Sequence, residues 1–232
     1  MKKLILSLAV GLAAMAPAFG QDFFSTADAD QLFNLGVRVG VNTSNRTISS
    51  NMASLWNHNS WGTGFTAGVV ADLNIKNYIS VQPGFFYESR SGAFAYQGYD
   101  HNAAGESYKL TQLGKGREYN FTIPIMASLH FNVLDELRWN IELGPYFQIK
   151  LKSTFDGAFY YPETTIAGTV EYFDNVKTAR GDVGLKMGTS LDIYDHYHIG
   201  VHYLAGFCHP WNPGNLGGHN KEWLFTIGYN FF

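Results

Sequence analysis

Eight stretches of this chain alternate apolar and polar residues at every second position. In the first, Phe33, Leu35, Val37, Val39 and Val41 take turns with Asn34, Gly36, Arg38, Gly40 and Asn42. The same pattern recurs over 64–73, 79–88, 119–131, 138–151, 182–193, 197–204 and 222–231. A period of two sends successive side chains to opposite faces of a β-strand, so each stretch is a strand with one apolar and one polar face. Eight is an even number, which an antiparallel sheet closed into a bacterial-type barrel requires. The expected fold class is therefore all-β: an eight-stranded antiparallel transmembrane β-barrel.

The spacing between the stretches alternates as well. Short connections fall at 74–77, 132–136 and 194–196, and long ones at 43–63, 91–116, 152–180 and 205–221. Short turns on one side and long loops on the other match outer-membrane barrels, with the turns periplasmic and the loops extracellular.

The N-terminus carries the signs of export. Lys2 and Lys3 precede a short apolar run from Leu4 to Met15, and Ala18-Phe19-Gly20 fits a small-x-small cleavage site. That run is too short to span a bilayer as a helix, which takes about 20 residues. The expected organisation is a signal peptide over 1–20, a periplasmic segment over 21–32 and the barrel over 33–232. The chain is 46% hydrophobic and 16% aromatic but only 15% charged, too apolar and aromatic for disorder. A net charge of -3 leaves no basic stripe for nucleic acid. The lone Cys208 excludes a disulfide framework.

The two registers imply two solvents. The apolar one carries aromatics near strand ends, among them Phe33, Tyr87, Tyr119, Trp139, Tyr197 and Trp223, as interfacial girdles do. The polar one mixes glycines with charges: Arg38, Asp72, Glu88, Glu118, Arg138, Glu142, Asp182 and Lys186, with Lys150 and Asp192 beside them. An eight-stranded barrel is only wide enough for side chains to fill it. These charges should pair into a plugged lumen, because an unpaired buried charge is expensive; a thin water path for protons or small ions is the sharper alternative. The glycines of this register would leave room for large neighbours. Pro83, Pro124 and Pro145 each give no ladder N–H and are expected to mark a bulge or a local break in pairing.

Tyr119-Asn120-Phe121-Thr122-Ile123-Pro124-Ile125 and Gly144-Pro145-Tyr146-Phe147 resemble paired motifs of the PorT-like outer-membrane β-barrel proteins of Bacteroidetes. The resemblance runs from about Phe33 to Phe232 and implies the barrel type rather than a task. The family's named member serves protein secretion, a role not carried over here. The closing Thr226-Ile227-Gly228-Tyr229-Asn230-Phe231 resembles the signal read by the outer-membrane assembly machinery, with Gly228, Tyr229 and Phe231 as its key positions and Phe232 left as one extra residue. Partners expected on this reading are outer-membrane lipid and lipopolysaccharide, the assembly machinery, and a glycan or protein ligand at the extracellular loops.

Catalytic and metal chemistry find little support. His198 and His202 lie four apart on a strand, roughly 13 Å and too far for one ion. Cys208, His209 and His219 lack tight ligand spacing, and His58, His101, Ser60, Glu106 and Ser107 form no nucleophile pattern. No metal, cofactor or catalytic residue is therefore expected. Trp56, Trp61, Tyr96, Tyr99, Phe159, Tyr160, Tyr161, Trp211 and Trp223 crowd the loop end, as a binding surface or as a compact cap with interfacial anchors. The expected function is a structural or adhesive outer-membrane barrel. A narrow transport or secretion-accessory barrel is the alternative, and a lipid-modifying enzyme comes third.

Overall fold

A computed structural model of the chain describes residues 23–29, 31–48, 57–101, 107–134, 136–160, 170–173, 180–208 and 218–231. The expected signal peptide and Phe232 lie outside these residues. The strands are β1 (Phe33–Ile48), β2 (Asn57–Lys76), β3 (Ile79–His101), β4 (Ser107–Leu134), β5 (Leu137–Tyr160), β6 (Val170–Phe173), β7 (Gly181–Ile193), β8 (Tyr197–Gly206) and β9 (Gly218–Asn230). Each of the eight long strands pairs antiparallel with the next, and β9 closes onto β1, so the sheet is a barrel. The short β6 stands outside this circuit and pairs with the far end of β5.

Burial is inverted relative to a water-soluble protein. Val41 and Ile227 are 61% and 60% exposed, whereas Glu88 and Glu222 are 1% exposed. An apolar exterior around a polar interior is stable only where the exterior meets lipid, and closing the sheet leaves no backbone edge unpaired there. All eight alternating stretches, except for the final Phe231, fall within the eight barrel strands with their apolar register outward.

Aromatic pairs ring both ends of the exterior. Phe131 and Trp139 lie 5.5 Å apart at the turn end, with Tyr197 and Tyr229 at 5.6 Å. Tyr203 and Trp223 lie 4.9 Å apart at the loop end, and Tyr87 stacks on Tyr119 at 6.2 Å.

The short turns stand where the alternation put them, but strands extend into the long connections. The ladder of β3 and β4 runs unbroken to His101 and Ser107, and β5 follows β4 out to Tyr160. β4 alone is 28 residues long, while a tilted strand crosses a bilayer in about 9–11. Of the segments expected as loops, 91–116 is thus largely strand and 43–63 is strand over its described residues, while 161–169, 174–179 and 209–217 lie outside the described residues. Above the lipid both faces of a strand meet water, so its period-two contrast fades while its backbone pairing continues.

The prolines mark local breaks in pairing, not bulges. The register of β3 with β4 is unshifted past Pro83, and that of β5 with β7 is unshifted past Pro145. Each proline loses pairing on one side only: Pro83 keeps Ile125, Pro124 keeps Tyr146 and Pro145 keeps Leu185. The breaks are therefore local and flip nothing. The register shifts lie elsewhere, between Trp61 and Thr66, Asn74 and Lys76, Tyr119 and Asn120, and Asn132 and Leu134.

At the turn between β7 and β8, His196 N–H donates to Ile193 at 3.2 Å, and Tyr194 and Asp195 take φ of 53° and 58°. Two left-handed central residues match the twist of a hairpin, a role suited to Asn, Asp or Gly. Tyr194 is the strained member, since a residue with a bulky side chain resists this region. Tyr194→Asn is expected to raise stability by about 0.5–1 kcal/mol, a fraction of the left-handed penalty. Urea unfolding of the refolded protein in micelles measures it; an unchanged or lower midpoint would count against the strain.

The segment before β1 is tied to the turn end. Phe23 is buried against Phe131 at 5.4 Å, and Phe24 meets Tyr78 at 4.7 Å. Asp28 pairs with Lys76, and Asn77 N–H donates to Ala27 at 3.2 Å.

Candidate functional site

Two regions carry chemistry: the lumen, and the sheet that projects beyond the lipid. In the lumen, register sorts the inward residues into layers. Nearest the turns is a hydrogen-bonded chain across five strands. His130 bonds Ser80 at 2.9 Å and Asn140 at 2.7 Å; Asn140 donates to Asp192 at 2.6 Å and to Ser190 at 3.1 Å. Ser190 donates to Glu142 at 2.6 Å, Glu142 pairs with His202, and Asp192 pairs with His198 at 2.8 Å. Arg38 sits in this layer and donates to Asn230 at 2.7 Å.

Above it lies an apolar layer. Tyr146, Leu204 and Leu224 form one cluster, and the Lys186 ammonium lies over the ring of Phe86, 5.0 Å from the ring centre. Glycines make room for these rings. A Cβ on Gly184 would come within 2.6 Å of the Tyr146 ring, and one on Gly68 within 2.6 Å of Phe86. A side chain at either position would displace the ring that fills the lumen.

The upper layer is again polar. Arg90 pairs with Glu222, lies 3.5 Å from Glu88 and donates to Gln148 at 2.7 Å. Thr122 and Gln148 both donate to Glu88, at 2.5 and 3.1 Å. Glu118 pairs with Lys150, and Asp182 accepts from Tyr146 at 3.1 Å and Asn220 at 2.8 Å.

Of the residues singled out in the sequence, Arg38, Asp72, Glu88, Glu118, Glu142, Asp182 and Lys186 are buried in the lumen. Arg138 departs from that expectation. It sits at the rim, its side chain 36% exposed, and pairs with Asp195 at 3.0 Å. Its strand has reached the turn end at that residue, so the guanidinium meets the mouth rather than the packed interior. Direct pairing is also incomplete as a rule, since Lys186 lies over a ring and Arg38 bonds an amide. Arg90, His130, Asn140 and Gln148 complete the networks and were not among the residues singled out. Their inward register was the available signal, but their partners lie across strands. Gly228 faces the lumen beside Arg38, while Tyr229 and Phe231 face outward with rings 5.7 Å apart.

At the turn end the lumen opens into a cavity of about 350 Å³ lined by Asp72, His130, Arg138 and Asp192 among others. Among the described residues no group of three or more His, Cys, Asp or Glu is placed to hold a metal ion. His209 lies outside those residues, as do Trp56, Glu106, Tyr161 and Trp211. Cys208 is a free thiol whose backbone N–H donates to Asp182 at 3.2 Å.

The projecting sheet is built from the far ends of β2 to β5 with β6 added. Its register places Phe94, Tyr96, Phe155, Phe159 and Phe173 on one face, with Gly92, Gly98, Gly114, Gly116 and Gly157 between them. This face continues the lumen register of β3 and β4. Lys109, Lys115 and Arg117 take the opposite face. Tyr99 and Tyr160 also fall on that second face, so the loop-end aromatics divide between two surfaces.

A family model for an outer membrane protein beta-barrel domain matches residues 19–209. No curated protein matches the chain. Among solved structures, Ail of Yersinia pestis, bound to the heparin analogue sucrose octasulfate, is 12% identical, over 87% of this chain and 100% of that one, with a TM-score of 0.42. Neisserial surface protein A is 13% identical over 85% and 97%, with a TM-score of 0.40. OprG of Pseudomonas aeruginosa is 8% identical over 90% and 98%, with a TM-score of 0.35.

Proposed function

The chain belongs to the family of outer membrane protein beta-barrel domains, and from that premise we propose that it acts as a plugged, surface-binding barrel, adhesive rather than conducting or catalytic. The observation that carries this reading is the sheet projecting beyond the lipid, whose ladder carries aromatic residues and glycines at matching register positions. Aromatic residues carried on a sheet suit a sugar or a protein surface. The lumen supports the same conclusion. Its apolar cluster of Tyr146, Leu204 and Leu224 interrupts the polar path that a transport or secretion-accessory barrel would need. The alternating connections support the loop end facing outward, and the Tyr119–Ile125 and Gly144–Phe147 motifs support a PorT-like member.

The test replaces 95–113 by a two-residue turn, leaving Phe94 and Gly114 as the last pair of that hairpin. Cells displaying the intact protein should adhere to at least one immobilised glycan or matrix protein in a panel, and the shortened variant should lose that adhesion while still inserting. In planar bilayers neither form should conduct. Discrete conductance steps from the intact protein, or equal adhesion by both forms, would refute the proposal.

A further inference from the structure

Two residues that cost the fold stability meet at one cavity. The cavity of about 350 Å³ at the turn end is lined by Asp72 and Tyr194, with the amide residues Gln31, Asn77 and Gln82 around them. Asp72 is 7% exposed, and its Oδ1 has no hydrogen-bond partner. A buried carboxylate without a cation beside it is a net loss to folding. Tyr194 holds a left-handed φ of 53°, where Asn or Gly would sit without strain. Strain of this kind gathers at ligand sites.

The other charges of the cavity already have partners. Lys76 pairs with Asp28, Arg138 with Asp195 at 3.0 Å, and Asp192 with His198 at 2.8 Å. His130 bonds Ser80 and Asn140, and His196 bonds the Asn230 carbonyl at 3.0 Å. Arg38 attracts Asp72 from further up the lumen, but its hydrogen bonds go to Asn230 and Val37. Among the described residues, none forms an ion pair with Asp72. Tyr194, 57% exposed, makes no ring contact among them.

We propose that this cavity binds a single amino sugar carrying a free ammonium group. The ammonium takes the open oxygen of Asp72, a charge-assisted hydrogen bond in a place with little water. The hydroxyls take the surrounding amides, and Tyr194 covers a face of the sugar ring from the rim. Size limits the ligand to one ring, since ligand pockets run from about 300 to 1,000 Å³ and this one lies near the lower bound. The polar wall suits a polyol better than an apolar amine. The inference goes beyond the adhesive reading and does not need it. In the proposed orientation the cavity opens to the periplasm.

The test titrates D-glucosamine at neutral pH into the full chain refolded in a neutral detergent, read by calorimetry. Saturable binding is expected. Asp72→Asn should weaken it about tenfold and Tyr194→Asn about fivefold. Neither change should lower the urea midpoint, because each removes a cost to folding. Tyr194→Phe, which keeps the ring, and Lys152→Gln at the loop end should bind as the parent does. Glucose and N-acetylglucosamine lack the cation and should not bind; ethanolamine lacks the ring and should bind more weakly. The proposal is overturned by no saturable binding, by N-acetylglucosamine or ethanolamine binding as glucosamine does, or by unchanged binding in Asp72→Asn or Tyr194→Asn. Lost binding together with a lower midpoint in both variants would make the two residues ordinary packing and overturn it as well. Should Asp72→Asn fail to refold, glucosamine against N-acetylglucosamine on the parent chain decides it. Adhesion does not enter this measurement, so its failure is separate from that of the adhesive reading.

Discussion

Arg90→Met is expected to cost the barrel about 3–5 kcal/mol, the usual consequence of removing one partner from a buried ionic group. Arg90 is enclosed by Glu222, Glu88 and Gln148, and its side chain is only 6% exposed. Without the guanidinium, two carboxylates share a narrow space with no cation between them. Most of the cost is that uncompensated charge, not the lost attraction. A second substitution separates the two effects. Glu222→Gln in the Arg90→Met background removes one stranded charge and should recover a large share of the loss. Glu222→Gln alone should be destabilising, because it takes an acid from an intact pair. The sum of the single effects should therefore exceed the double effect by more than about 1 kcal/mol, as coupling between touching residues does. Urea titration of protein refolded in micelles, followed by the shift between folded and unfolded bands on unheated gels, reads all three. A loss below about 1 kcal/mol for Arg90→Met would mean that water already reaches this layer, and the plugged lumen would fall with it.

The residues that made the barrel legible are those whose two faces meet different solvents. From Phe33 to Asn42, or from Leu191 back to Val183, lipid on one side and a packed lumen on the other force strict alternation. Leu204 and Leu224 look like exceptions, apolar residues on the polar register. They are the apolar layer itself, and the lumen tolerates them because Tyr146 packs beside them. The networks were less legible. His202 meets Glu142 across 60 positions of sequence, and Gln148 meets Glu88 across the same number. Such partners depend on the stagger between strands around the closed sheet, which no single strand encodes. The reach of β3 to β5 was hidden for the converse reason. Past Ser91 and Arg117 neither face meets lipid, and glycines and polar residues there look like loop until the ladder is seen to continue.

The last prediction concerns the closing strand, where packing and recognition act on the same residues. Tyr229 and Phe231 face outward at the turn end, Tyr229 against Tyr197 at 5.6 Å and His196 at 5.4 Å. Both rings lie in the interfacial girdle, where a charged substitution costs about 0–1 kcal/mol against lipid, compared with about 2–4 kcal/mol for Arg or Lys at the midplane. Loss of the ring contacts adds about 0.5–1.5 kcal/mol per pair. Tyr229→Asp with Phe231→Asp therefore removes a few kcal/mol at most, too little by itself to abolish folding. If the terminal segment is the address read by the assembly machinery, through strand addition with alternate side chains in pockets, the same change should be severe in cells. The expected outcome is a periplasmic accumulation of the double variant with little of it in the outer membrane, while purified protein still refolds in micelles. Val69→Arg is the matching control: at mid-barrel and facing lipid, it should weaken refolding more and targeting less. Normal insertion of the double variant in cells would remove the signal assignment. Failure in cells and in micelles together would make Tyr229 and Phe231 ordinary packing residues of β9.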